Sequence, residues 1–311
     1  QIAEKNKVNL EFEASVCGGV PIIRSLKEGL IANKISKIYG IFNGTSNYIL
    51  SSMDKQKKNF NDVLLNAKKL GYAESNPSAD LNGDDVSSKL KILSSLCFNS
   101  FLNNNIYVEG IKDIEKTDID NANKLGYKIK LLGFGEQLNN KIYQRVHPTL
   151  VKNNSYVASI DGVLNTVIID GQPVGRSAIQ GEGAGPAATT SALISDISSI
   201  LRGNIKFPFS VSRKKRKKLK FESISERFFS AYLRIEVIDK PGILSNITNI
   251  FFKNKVSIKR LVQTPDKSKK SSSIIIITHN SKDKFLKKTL NEIAKKNYVR
   301  QKPKLIRIDN N

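Results

Sequence analysis

Residues 8–42 read VNLEFEASVCGGVPIIRSLKEGLIANKISKIYGIF. The residues just ahead of them, IAEKNK, have the character of a helix end, and VNLEFEASV reads as a strand. CGGVP then makes a glycine-dense turn, and IIRSLKEGL repeats its apolar residues at helical spacing. KISKIYGIF is a second, short strand. Strand, turn, helix and strand in this order predict an α/β unit.

Downstream, FNDVLLNAKKL at 60–70 predicts an amphipathic helix closed by Gly71, and 84–97 predicts another that begins after NGD. Residues 127–170 alternate apolar and polar positions in strand-length pieces (YKIKLLGFGEQ, KIYQRVHPTLV, TVIIDG), as an antiparallel sheet does. RSAIQGEGAGPAATTSALISDISSIL, 176–201, reads as a glycine-dense loop feeding one long helix of small residues. Residues 204–226 are basic with little periodicity, which places a linker there. From 227 the order is strand, KPG turn, helix, strand, the loop PDKSKKSS, strand, helix and strand, a ferredoxin-like βαββαβ unit and a second domain.

The 311 residues suffice for two domains of ordinary size. No stretch approaches ~18 uninterrupted apolar residues, and QIAEKNKVNL lacks the order of a signal peptide, so no membrane partner and a cytoplasmic location are expected. Cys17 and Cys97 stand far apart in apolar surroundings, which argues against a disulfide framework or zinc site and suits a reducing compartment. The net charge of +23 would ordinarily indicate a polyanionic partner. Its excess is mostly Lys, however, in a chain rich in Asn and Ile and without Trp, the pattern of AT-rich codon usage. The densest run, SRKKRKKLK at 212–220, has no interleaved aromatics to stack on bases and reads as a solvated linker, so no nucleic-acid partner is expected.

LGYAESNPSADLNGDDVSSKL, 70–90, carries the chemistry. Asp85 and Lys89 lie one turn apart on a helix face. The same spacing describes a surface ion pair worth about 0.3–0.5 kcal/mol. Against that plain account, a constrained loop gathers Glu74, Asp80, Asp84 and Asp85 beside the lysine in an otherwise very basic chain. A lysine between carboxylates keeps the proton it needs to donate to an oxygen turning negative, and surplus carboxylates suit a substrate ammonium group. Together they describe a site for a small zwitterionic carbonyl compound.

This stretch, with EASVCGGVPIIRSLKEGL at 13–30 and GIFNGTSNYIL at 40–50, resembles the signature of homoserine dehydrogenases, in register over residues 1–203. The resemblance implies an α+β catalytic domain completing a truncated Rossmann domain, and the tail with IDKPGIL at 238–244 resembles an ACT domain. The divisions expected are 1–12 as a remnant of the NAD(P)-binding domain, 13–180 as the substrate domain, 181–203 as a loop and helix returning to the nucleotide domain, 204–226 as linker, and 227–311 as the ACT domain. By the resemblance Lys89 donates the proton to the C4 oxygen as NADPH or NADH reduces L-aspartate 4-semialdehyde to L-homoserine. Glu74 and Asp85 hold the substrate's amino and hydroxyl ends, and Asp80 supports them. Glu13, Val16, Gly18 and Val20 are implied to bind Na+ or K+ through backbone carbonyls, although Gly18, Gly19 and Pro21 also suit a plain tight turn. Asn43, Gly44 and Thr45 line the cleft or simply cap a helix.

GEGAGPAATTSALISDI at 181–197 contains GxGxG but not the Rossmann fingerprint, since no βαβ strand precedes it properly and no acidic residue follows at ribose spacing. Gly71, Gly183 and Gly185 are cofactor-contact candidates by the resemblance; close helix packing explains the small residues equally well. In the tail, Asp239, Pro241, Gly242 and Ile243 mark the turn and helix start where ACT dimers receive an amino acid, threonine being the effector expected. The family's GxGxxG loop and a second active-site lysine would lie ahead of Gln1, so an inactive fragment of a monofunctional enzyme, dimeric or tetrameric when whole, is expected. The competing readings are an amino-acid-sensing module without catalysis and a nucleic-acid-binding protein.

Overall fold

The computed structural model describes residues 2–101, 106–203, 207–266 and 270–309. Residue 1 of the expected remnant, 204–206 of the linker, 267–269 of the loop PDKSKKSS, and 310–311 lie outside the described residues. The chain divides into two compact units, Gln1–Pro148 with Asn153–Glu222, and Thr149–Lys152 with Ser223–Asn311.

In chain order the first unit contains helix α1 (Ile2–Asn6), helix α2 (Ile22–Arg24, running on as a π turn Ser25–Gly29), strand β1 (Lys34–Ile41), helices α3 (Gly44–Gln56), α4 (Phe60–Lys69), α5 (Ser78–Asn82) and α6 (Asp84–Cys97), strand β2 (Tyr107–Val108) and helix α7 (Lys116–Lys124). Strands β3 (Tyr127–Leu138), β4 (Lys141–Lys152, of which Thr149–Lys152 is counted with the second unit), β5 (Leu164–Gln172) and β6 (Gly175–Glu182), helix α8 (Pro186–Leu201) and strand β7 (Lys220–Glu222) follow. The sheet order is β6-β5-β1-β3-β4, with β2 and β7 pairing onto β4. β1 is central and antiparallel to both neighbours, Gly40 facing Gly133 on β3 and Val167 on β5. Two glycines let the helical layer approach: a Cβ on Gly133 would stand 2.6 Å from the Phe42 ring, and one on Gly135 2.7 Å from Ser94 Oγ of α6.

Two expectations are corrected. Residues 8–16 form no strand: a strand needs a ladder partner, and among the described residues none runs beside them. Glu13–Ser15 is instead one 3-10 turn, its first backbone N–H donating to Asp196 Oδ2 of α8 at 2.9 Å. RSAIQGE, expected as loop, is strand β6, paired antiparallel with β5 from Leu164↔Glu182 to Gly171↔Gly175. Its glycines hid the alternation, and its antiparallel pairing to β5 bears out the absence of a βαβ strand ahead of the glycine loop.

The second unit runs β8 (Phe228–Ile238), α9 (Ile243–Lys253), β9 (Ile258–Asp266), β10 (Ser271–Thr278), the short β11 (Ser281–Lys282), α10 (Asp283–Ala294) and β12 (Lys304–Ile308), in sheet order β12-β8-β10-β9, all antiparallel. This is the expected ferredoxin-like βαββαβ arrangement. Ile243, Ile247, Ile250 and Phe251 of α9 and Leu286 and Ile293 of α10 are buried together with the central strands. Beneath them Arg307 Nε donates to Asp283 Oδ1 at 2.7 Å, both side chains fully buried. No helix among the described residues is long and apolar enough to cross a membrane.

Candidate active site

α6 begins after Gly83, whose φ of 88° lies in the left-handed region. Asp84 and Asp85 then occupy the first turn, where the unpaired N–H groups favour negative charge. Asp85 and Lys89 share one face and meet, Lys89 Nζ standing 2.8 Å from Asp85 Oδ2. The ammonium also donates to Phe42 O at the end of β1, 2.9 Å away. Lys89 is largely shielded, its side chain 18% exposed. Two of its three N–H bonds are thus taken, and the third has no partner among the described residues.

Asn43 follows Phe42 and joins the remaining carboxylates. Its Oδ1 caps α3 by accepting from Ser46 N at 2.8 Å, while its Nδ2 donates to Asp80 Oδ1 of α5 at 2.7 Å and to Asp85 Oδ2 at 2.8 Å. The expected helix cap is therefore present, and the same side chain also reaches two carboxylates of the cluster. α3 is fixed from behind by buried Lys130, which donates to Asn47 Oδ1, Ile160 O and Asp161 Oδ1 at 3.1, 2.5 and 2.9 Å. Thr45 Oγ1 donates to Tyr72 O at 2.6 Å, tying the 71–77 loop down beside Glu74, which is exposed. Burial pushes the Asp80 carboxyl above its ordinary value; the Asn43 bond opposes this, Asp85 adds to it, Lys89 opposes it, and Glu74 adds to it. Glu74, Asp80, Asp85 and Lys89 thus act on one another as one charged group.

The sequence offered no signal for two further residues nearby. Cys17, fully buried at φ 59°, has its thiol pushed up to about 11 by burial, and feels Lys89, Asn165 and Asp85. Asn165 on β5 is fully buried, its amide close enough to the Cys17 thiol to hold that group's value down against burial. A Cβ on Gly183 would fall 2.2–2.3 Å from that amide, and one on Gly18 would fall 2.6 Å from Gly183 O. The turn at 16–20 and the loop at 181–185 are therefore packed face to face, joined by Gly19 N donating to Glu182 O at 3.0 Å. Internal packing accounts for glycine at 183. Gly185 differs: φ is 114° and its Cβ side is open, leaving backbone accessible to a ligand at the start of α8. Gly71, at φ 74° with open space around it, ends α4.

The Glu13 carboxylate accepts from Ile23 N and Arg24 N, both at 2.7 Å, and burial raises it above its ordinary value. Its side chain is thus committed to starting α2. Among the described residues no group of three or more His, Cys, Asp or Glu is placed to hold a metal ion, so a cation here would rest on carbonyl oxygens. In the second unit Asp239 N donates to Lys270 O at 3.2 Å, and Gly242, at φ 84°, precedes Ile243 at the start of α9 with no side-chain cap on its first turn.

Comparison with known proteins agrees with this architecture. The family model described as homoserine dehydrogenase matches residues 21–198, and that of the ACT domain matches 231–296. The chain is 40% identical over 300 residues to the homoserine dehydrogenase of Helicobacter pylori, covering 96% of this chain and 71% of that protein. It superposes on the crystal structure of a homoserine dehydrogenase from Thiobacillus denitrificans with a TM-score of 0.89 at 36% identity, covering 99% of this chain and 72% of that one. A hyperthermophilic archaeal homoserine dehydrogenase mutant in complex with NADPH matches with a TM-score of 0.56 at 26% identity, over 66% of this chain and 59% of that one. By these matches over both units, the chain belongs to the homoserine dehydrogenase family and carries an ACT domain.

Proposed function

We propose that the cluster on α5, α6 and the start of α3 carries out the family's reaction, the NAD(P)-dependent interconversion of L-homoserine and L-aspartate 4-semialdehyde. The observation that carries this assignment is the convergence of Lys89, Asp85, Asp80, Asn43 and the Phe42 carbonyl through contacts of 2.7–2.9 Å, with one ammonium N–H left over among the described residues. When bound, NAD(P)H supplies the hydride that reduces the aldehyde carbon. Lys89 directs its spare N–H at the carbonyl oxygen, stabilises the charge that develops there and delivers the proton. Asp85 holds the ammonium in place and accepts from the substrate hydroxyl; Glu74 and Asp80 draw in the substrate's own ammonium group. Gly185, and with it the Gly183 and Gly71 backbone, faces the cofactor. Homoserine titration of the Asp85→Asn and Glu74→Gln variants tests this: weakened binding is expected for both, and wild-type affinity in both would remove them from the site.

The expected divisions at 13–180, 181–203 and 227–311 are kept as a functional map, with 1–12 belonging to the nucleotide-binding part, while the expected linker 204–226 includes strand β7 of the first unit and meets the second unit at Ser223. A Na+ or K+ ion is assigned to the carbonyls of Glu13, Val16, Gly18 and Val20, where it would brace the turn that packs on the glycine loop. Threonine is assigned to Asp239, Pro241, Gly242 and Ile243, its carboxylate meeting the uncapped N–H groups of α9, in a protein that works as a dimer or tetramer in the cytoplasm. The two buried, unpaired thiols suit that reducing compartment.

A further inference from the structure

The Asn43 side chain commits both of its donors and one acceptor position in the site: Oδ1 accepts from Ser46 N, and Nδ2 donates to Asp80 Oδ1 and to Asp85 Oδ2. It is 4% exposed, so water cannot stand in for it. Capping α3 needs only an oxygen, which Ser, Thr or Asp supplies equally well. The amide nitrogen is surplus to the cap, and both of its bonds go to carboxylates that repel one another. With the two N–H bonds of an amide about 120° apart, the bonded oxygens are held about 4.8 Å from each other. The second oxygens, Asp80 Oδ2 and Asp85 Oδ1, have no partner among the described residues and remain for a ligand. The oxygen that Asn43 holds on Asp85 is also the one that bonds Lys89.

We propose that Asn43 is a positioning residue of the reaction: its forked amide nitrogen holds Asp80 and Asp85 together, ready for a cationic substrate, and fixes Asp85 against Lys89. This rests on the site assigned above. The groups facing Asp80 are Asn43 from the start of α3, Asp85 and Lys89 from α6, and Glu74 from the 71–77 loop. Of the influences that hold the Asp80 carboxyl down against burial, the Asn43 bond is the largest. Removing the donor while keeping the cap therefore leaves Asp80 protonated to higher pH and frees Asp85 to rotate.

The test compares Asn43→Ser and Asn43→Thr, which keep a capping oxygen and lose the fork, with Lys89→Ala and Asp80→Asn in the full-length protein. kcat and KM for homoserine are followed over a range of about pH 5–9, beside thermal melting. Both Asn43 variants are expected to melt close to wild type, to lose kcat/KM roughly 10- to 100-fold, as small misplacements of catalytic groups do, and to move the acidic limb to higher pH. Placed on Asp80→Asn, Asn43→Ser is expected to move that limb no further. A wild-type acidic limb and kcat/KM in both Asn43 variants, with Lys89→Ala inactive, would overturn the proposal and leave the site standing. An active Lys89→Ala would overturn the site and the proposal with it. Loss of folding in both variants would make Asn43 a stability residue only, and would overturn the proposal too.

Discussion

Gly183→Ala separates a packing role from a cofactor role. The new Cβ would lie 2.2–2.3 Å from the three atoms of the Asn165 amide, closer than a carbon can come to any of them. Asn165 is fully buried on the ladder between β1 and β6, so it cannot swing into solvent, and backbone must move by about an ångström. Overpacking of this kind costs about 1–3 kcal/mol, and at about 2–4 °C per kcal/mol for a unit of this size melting should fall by about 2–12 °C. Asn165→Ala removes the amide atoms that the new Cβ would meet. The double variant should then recover part of the loss, and a thermal or urea cycle of the four proteins should give a coupling of about 1 kcal/mol or more. Gly183→Ala melting as wild type while cofactor affinity falls would refute the packing argument and leave Gly183 its cofactor role alone.

Other consequences follow from the buried charges. Asp283→Ala removes the buried carboxylate that accepts from Arg307 Nε and should destabilise the second unit by about 3–5 kcal/mol in chemical denaturation; a change under about 1 kcal/mol would contradict the pairing. Glu13 is raised by burial, so its folded form holds the proton at pH values where the unfolded chain has released it. Its contribution to stability is complete below 4.5 and is lost as pH rises through the folded value. The stability difference between wild type and Glu13→Gln should therefore depend on pH just above 4.5, with wild type losing ground as pH rises. A difference flat across that window would show that burial does not perturb Glu13.

Much of this was legible from residue pattern. The βαββαβ order of the second unit follows from strand-length apolar runs and the KPG turn, and α6 was bounded correctly by NGD and its apolar repeat. The strand expected at 8–16 failed because alternation describes one edge only, and pairing requires a second chain segment beside it. β6 was missed because RSAIQGEG places glycines where strand formers usually stand. In the site, the i,i+4 spacing brought Asp85 to Lys89 directly. The Phe42 carbonyl, the Asn43 fork and the contact of Asn165 with Gly183 were not legible, since the first two join segments 37 to 47 residues apart and the last joins segments meeting across a turn. A backbone carbonyl leaves no mark in residue type at all.

The central claim, that Lys89 moves the proton, is tested most directly by homoserine-dependent NAD(P) reduction in the full-length protein, wild type against Lys89→Ala. The account predicts a loss in kcat of about 10²–10⁴ with homoserine binding largely kept. Turnover within a few-fold of wild type in Lys89→Ala would contradict it.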